Sequence, residues 1–155
     1  MDSPVGPLAL VMSNAGLMRL EFHRKKNIPD DKFTWVEDDS RTTPVRREME
    51  QYFAGSRREF SIPLDLRGTD FQLSCWRQLL KIPYGETRTY ADIARAIRSP
   101  KAFRAVGMAN HDNPVAIIVP CHRVLASSGG LCGYGGGLDI KQKLLELEGA
   151  RTLSL

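Results

Sequence analysis

Residues Thr89 to Met108 read Thr-Tyr-Ala-Asp-Ile-Ala-Arg-Ala-Ile-Arg-Ser-Pro-Lys-Ala-Phe-Arg-Ala-Val-Gly-Met, and they divide into two short helices. A threonine hydroxyl accepts from the free amides that open a helix, so Thr89 is expected to cap the first. Tyr90, Ile93, Ala94 and Ile97 then share one face, and Arg98 ends it. Serine as cap with proline at the first helical position predicts a second start at Ser99-Pro100. In that helix Phe103 and Val106 would face inward, with Lys101, Arg104 and Met108 on the opposite side. Two short helices joined by a tight turn make a helix-turn-helix. The second is built of small residues, Ala102, Ala105, Gly107 and Ala109, around Arg104. Glycine inside a helix costs about 1 kcal/mol relative to alanine, so a neighbour is expected to come close there, either DNA or the protein's own core.

On the N-terminal side, Arg67-Gly68-Thr69 reads as a joint, followed by a helical face of Phe71, Trp76, Leu79 and Leu80 and a turn at Pro83-Tyr84-Gly85. Earlier still, Leu8 to Ser13 and Leu17 to Phe22 form a hairpin across Asn14-Ala15-Gly16. Residues 24–43 are charged and weakly periodic, whereas Val45, Met49, Tyr52 and Phe53 recur at helical spacing until Gly55. Phe60, Ile62, Leu64 and Leu66 alternate with polar or proline neighbours, which predicts an edge strand interrupted by Pro63.

On the C-terminal side, Ile117-Ile118-Val119-Pro120 reads as a short buried strand stopped by its proline, with Cys121 at a strand-to-loop edge. Successive strand side chains face opposite ways, so Cys121 and His122 would communicate through water rather than touch. A packed core cysteine beside a surface histidine is the plainer alternative. Gly129 to Gly137 is glycine-rich, yet no Lys-Ser/Thr follows it as in a nucleotide-binding phosphate loop. Asp139 is expected to cap a last helix through Leu144, Leu145 and Leu147, with Gly149 just beyond its end. Glu148 then sits where the helix dipole disfavours negative charge, which suits an acid with a specific partner or, more commonly, a solvated last-turn glutamate.

The 155 residues suffice for one good core or two small packed lobes. Residues 1–66 hold 10 Lys/Arg against 11 Asp/Glu, 67–123 hold 9 against 4, and 124–155 hold 3 against 3. The net +5 of the middle segment favours polyanionic partners. No apolar run is long enough to cross a bilayer, and Met1-Asp2-Ser3-Pro4 has no secretion-signal pattern. Three cysteines, Cys75, Cys121 and Cys132, form no CxxC pair and no even framework. Free thiols in a reducing compartment, the cytoplasm or in a eukaryote the nucleus, are therefore expected.

From about Phe71 to Gly149, the helix-turn-helix, the Asn113-Pro114 turn, Pro120-Cys121-His122-Arg123-Val124 and Gly133-Tyr134-Gly135-Gly136 stand in one order and spacing. In this the chain resembles the methylated-DNA–protein-cysteine methyltransferases, the suicidal O6-alkylguanine-DNA alkyltransferases. The N-terminal lobe matches only loosely. The resemblance implies an α/β lobe over 1–66, a small antiparallel sheet plus helix of ribonuclease H-like kind, then a mainly α lobe over 67–155 with a winged-helix-like helix-turn-helix. It implies DNA repair in a single turnover: an alkyl group on a flipped guanine passes to Cys121, helped by His122, Glu148 and Asn113. Tyr90, Arg104, Tyr134 and Gly135 would contact the target nucleotide, and Thr89, Lys101, Arg104 and Arg123 the DNA. Gly135 stands where many members have serine, a change that removes a hydroxyl. Some members hold zinc in the N-terminal lobe, but this one offers His23 and no cysteine, so neither metal nor cofactor is expected. Cys75 and Cys132 are expected to be structural. The implied partner is double-stranded DNA carrying alkylated guanine, met by a monomer, with no membrane involved; cooperative coating of DNA and repair of methylated thymine stay open. The rivals are a non-catalytic helix-turn-helix reader of lesions or sequence, and a cysteine hydrolase that would turn over.

Overall fold

The computed structural model describes residues 1–22 and 36–150. Its element order is β1 (Leu8–Met12), β2 (Leu17–Phe22), α1 (Asp39–Phe53), α2 (Asp70–Leu79), β3 (Arg88–Thr89), α3 (Tyr90–Ala96), α4 (Phe103–His111), a single 3-10 turn (Cys121–Arg123), β4 (Val124–Leu125) and α5 (Leu138–Leu147). The N-terminal part is a small antiparallel sheet plus helix; the rest is helical, with β3 and β4 paired in parallel.

Apolar alternation puts β1 and β2 in register, Leu8 opposite Phe22 and Leu10 opposite Leu20. Gly16 closes the turn between them because a Cβ there would lie 2.4 Å from the Pro63 carbonyl oxygen. β2 is the scaffold on which the chain is assembled. Its Leu17 accepts from Asp65 (2.9 Å) and donates to Pro63 (2.8 Å), while its Leu20 donates to Pro114 (2.9 Å) and accepts from Ala116 (2.9 Å). The hairpin thus holds the segment that runs on to Cys121. Leu17, Leu20, Val45, Met49 and Tyr52 of the N-terminal part share one core with Trp76, Leu79, Val106, Ile140 and Leu144.

Thr69 caps α2 and Thr89 caps α3, each in a reciprocal box with Gln72 or Asp92 three residues on. Such a cap contributes about 1 kcal/mol. Trp76 ties α2 to α4 through Nε1 donating to the Ala109 carbonyl at 2.9 Å.

Four expectations are corrected. Phe60–Leu66 is not a strand: only Leu64 makes a bridge, to Leu17. Pro63 has no amide to donate, and Ser61 gives its amide to Glu48 (3.0 Å), so the alternation reports which side chains are half-buried and not a ladder. Ile117–Val119 is a turn, with Val119 N donating to Val115 O (3.0 Å) and Ile117 in the left-handed region at φ 71°. All these residues are buried, and burial alone accounts for their apolar run. Ser99-Pro100 opens a β-turn, Ala102 N to Ser99 O at 2.8 Å, with proline at its second position; α4 begins only at Phe103. Phe103 accordingly points outward, 47% exposed. Finally, α5 is capped by Gly137 at φ 98°, and Asp139 lies inside its first turn.

Candidate active site

Cys121 opens the 3-10 turn that follows Pro120 and is buried. Asn113 braces this turn: its Nδ2 donates to Val119 O (2.8 Å) and to Cys121 Sγ (3.2 Å), and its Oδ1 accepts from Val115 N (3.0 Å). The Asn-Pro turn anticipated at this position therefore also delivers a donor to the sulfur. Burial pushes the Cys121 thiol above its ordinary value, against the opposing pull of Asn113 and the charge of Lys141. The resting sulfur is a thiol, and ionising it requires a base.

His122, next in the same turn, is wholly buried. Its Nε2 lies 2.8 Å from Glu148 Oε1. Burial lowers its pKa, the carboxylate partly opposing, so near neutral pH the ring is uncharged. With the carboxylate taking the Nε2 proton in a hydrogen bond, the lone pair falls on Nδ1. That nitrogen is buried and has no hydrogen-bond partner among the described residues. A neutral imidazole oriented by a carboxylate, with its second nitrogen unengaged, is built to take a proton.

Glu148 ends α5 and is buried. Its Oε1 accepts from Tyr52 Oη (2.7 Å), His122 Nε2 (2.8 Å) and Arg123 Nη2 (2.9 Å), and its Oε2 from Arg123 Nε (2.9 Å). Burial would raise the carboxyl, but the bonds from His122 and Arg123 outweigh it and hold it at about 2. The unfavourable place at a helix C-terminus is explained by these partners. Arg123 is corrected from DNA contact to interior strut, since its guanidinium also donates to Ile82 O at 2.6 Å and lies 5.8 Å from the Tyr84 ring.

Tyr90 and Tyr134 both lie within electrostatic reach of Cys121. Burial pushes the Tyr90 phenol up to about 12. Tyr134 rests edge-on against Phe22 of β2, centroids 5.7 Å apart, and its buried hydroxyl has no hydrogen-bond partner among the described residues. Around Gly135 a Cβ would meet nothing within 4 Å among the described residues, so they leave space for a serine there. Lys101 and Arg104 are exposed, and Thr89 is half-buried with its oxygen engaged by Asp92 N at 3.1 Å. Among the described residues a Cβ at Gly107 would approach only the Tyr90 ring, at 4.0 Å, so packing within them does not require glycine there.

Two participants escaped sequence reading. Lys141 is buried, its Nζ donating to Val124 O (2.7 Å) and Cys132 O (3.0 Å), which pins both ends of the segment leading to Tyr134. Tyr52 reaches Glu148 from 96 residues away. Neither spacing has a local signature. Cys75 is buried as expected, but Cys132 is exposed. Among the described residues no His/Cys/Asp/Glu group suits a metal ion, and His23 lies outside them. No helix among them is long and apolar enough to cross a membrane.

A buried cysteine with a histidine and a carboxylate, beside two short helices joined by a turn, is an arrangement suited to a DNA-binding protein with a reactive thiol. The family model "6-O-methylguanine DNA methyltransferase, ribonuclease-like domain" matches residues 1–66, and "6-O-methylguanine DNA methyltransferase, DNA binding domain" matches 70–150. The chain is 49% identical over 149 residues to a methylated-DNA–protein-cysteine methyltransferase of Methanosarcina acetivorans, covering 96% of both proteins. It is 50% identical over 151 residues to one of Mycobacterium bovis, covering 97% of this chain and 91% of that one. The crystal structure of Mycobacterium tuberculosis OGT in complex with DNA superposes with a TM-score of 0.89 at 49% identity, over 96% of this chain and 90% of that one. The chain belongs to the methylated-DNA–protein-cysteine methyltransferase family.

Proposed function

We propose that Cys121 is the cysteine that receives the alkyl group, and that the substrate is O6-alkylguanine rotated out of duplex DNA. The observation that carries this reading is the joining of a buried thiol, a neutral imidazole with a free nitrogen and an ionised carboxylate behind an exposed two-helix surface. His122 Nδ1 takes the thiol proton, directly or through an intervening water, and Glu148 stabilises the imidazolium that forms. The thiolate attacks the alkyl carbon, an S–C bond forms as the C–O6 bond breaks, and the electron pair leaves on the guanine oxygen. Return of the proton to the purine restores ordinary guanine. A thioether has no route back, so each molecule acts once.

A base inside a duplex hides the atom to be attacked, and extruding it costs a few kcal/mol. Arg104, exposed on α4, is suited to fill the space the guanine leaves, while Lys101 and the basic middle segment offset the cost at the phosphates. A minor groove about 6 Å wide admits only a slender helix, and the small residues Ala105 and Gly107 keep α4 slender beside Arg104. Tyr134 and the backbone of Gly135 would receive the extruded base. The protein works on double-stranded DNA as a monomer without a cofactor, in the reducing compartment that holds the DNA.

Mixing the protein with duplex containing O6-methylguanine should add one methyl mass to the peptide holding Cys121, one per molecule, as read by peptide mass spectrometry. More than one turnover, or binding of the lesion with Cys121 unmodified, contradicts the proposal. Arg104→Ala should slow repair of duplex by about tenfold or more, the equivalent of about 1.4 kcal/mol, while repair of the same lesion in single-stranded DNA changes less. Equal rates on duplex for the variant and the parent would remove Arg104 from the flipping step.

A further inference from the structure

We infer that Tyr52, on α1 of the N-terminal part, is a positioning residue for the transfer reaction: its hydroxyl shares Glu148 with His122 and so sets how strongly the imidazole holds a proton. This rests on the relay proposed above and deepens it. Tyr52 is fully buried, its ring fixed between Phe53, Phe60 and Tyr84 with centroids 5.3, 5.5 and 6.2 Å away, and its Oη sits 2.7 Å from Glu148 Oε1. That oxygen serves three donors. A carboxylate oxygen has lone-pair room for about two good bonds, so each donor draws charge that the others would use. The charges acting on His122 are Glu148, which favours the imidazolium, and Arg123 and Lys141, which oppose it. Tyr52 is neutral, its phenol driven far up by burial and by Glu148, and acts only by weakening the carboxylate's hold on the ring. A buried tyrosine needs an acceptor somewhere, but a role confined to packing needs no acceptor shared with the base.

The N-terminal part thereby acquires a function at the reacting centre, since α1 supplies a bond to the group that orients the base. Anything that shifted α1 against α5 would retune His122.

The chain has three histidines, so the imidazole of His122 can be followed by 15N NMR through a pH titration of the intact protein. In Tyr52→Phe the carboxylate is freed of one donor, and His122 should titrate higher by about half a pH unit or more. The acid limb of the transfer rate should move the same way. Replacing Tyr52 with 3-fluorotyrosine, a stronger donor of nearly the same shape, should move both in the opposite direction. This second variant also decides the matter should Tyr52→Phe not fold. Unmoved titration of His122 in folded variants, whatever happens to stability, overturns the inference. A shift in titration with no transfer to Cys121 would uphold the coupling and overturn the assigned reaction instead.

Discussion

Cys121→Ser is expected to leave O6-methylguanine in duplex DNA unrepaired while the protein still binds that DNA. A serine hydroxyl ionises far less readily than a thiol, whose ordinary pKa of about 8.5 is already raised here by burial. The neutral imidazole of His122 is too weak a base to hold an alkoxide in that pocket, so transfer falls below detection. The helix surface is untouched, because Cys121 is buried and Arg104 and Lys101 lie on exposed positions of α4 and the preceding turn. Folding is affected little: Asn113 Nδ2, 3.2 Å from the sulfur, can donate equally to a hydroxyl oxygen. Lesion binding measured by gel shift together with intact protein mass settles the case. Residual methyl transfer in the serine variant would place the acceptor elsewhere.

Glu148→Gln is expected to cost about 3 kcal/mol of stability, because removing one member of a buried ion pair strands the other. The Glu148 side chain has no exposure and that of Arg123 only 7%. An amide nitrogen in place of Oε2 would face Arg123 Nε, donor against donor, across the present 2.9 Å. In a chain of 155 residues such a loss lowers Tm by about 6–12 °C. The pH dependence identifies the cause. The Glu148 carboxyl is held at about 2 against an ordinary 4.5, so its contribution is complete above 4.5 and fades as pH falls toward 2. His122, held below its ordinary 6.5, acts in the same direction from 6.5 downward, because the unfolded chain takes up the proton first. Urea midpoints should show parent and variant far apart at pH 7 and converging below 4.5. A constant gap down to pH 3 would mean that charge is not the cause. Transfer should also slow by about a hundredfold, since the imidazole loses the carboxylate that fixes its tautomer.

Elements stabilised by neighbours in the chain were legible in advance. The hairpin, the apolar face of α1 and the Thr89 cap of α3 each depend on residues within a few positions of one another. The segment 117–120 misled because apolar composition reports burial and not conformation: Val119 N donates back to Val115 O, and at Ile117 the chain turns through a left-handed residue. Proline at position 100 had two uses, opening a helix or bending a turn, and only the packing of α4 across α3 selected the second. In the site, Cys121, His122 and Asn113 are near neighbours in sequence, and Glu148 was marked by its awkward place at a helix end. Arg123 was assigned to DNA by the resemblance alone, and nothing near it in the sequence signals its bond to an acid 25 residues away. Tyr52 and Lys141 were silent for the same reason.

The burial that keeps Cys121 protonated also governs how the molecule ages before use. A reagent consumed in one event must not spoil on the shelf, and peroxides and stray electrophiles attack sulfur chiefly as its anion. In the relay proposed above the anion arises only when His122 takes the proton, whereas Cys132 is exposed. Oxidative wear should therefore fall first on Cys132 and spare Cys121.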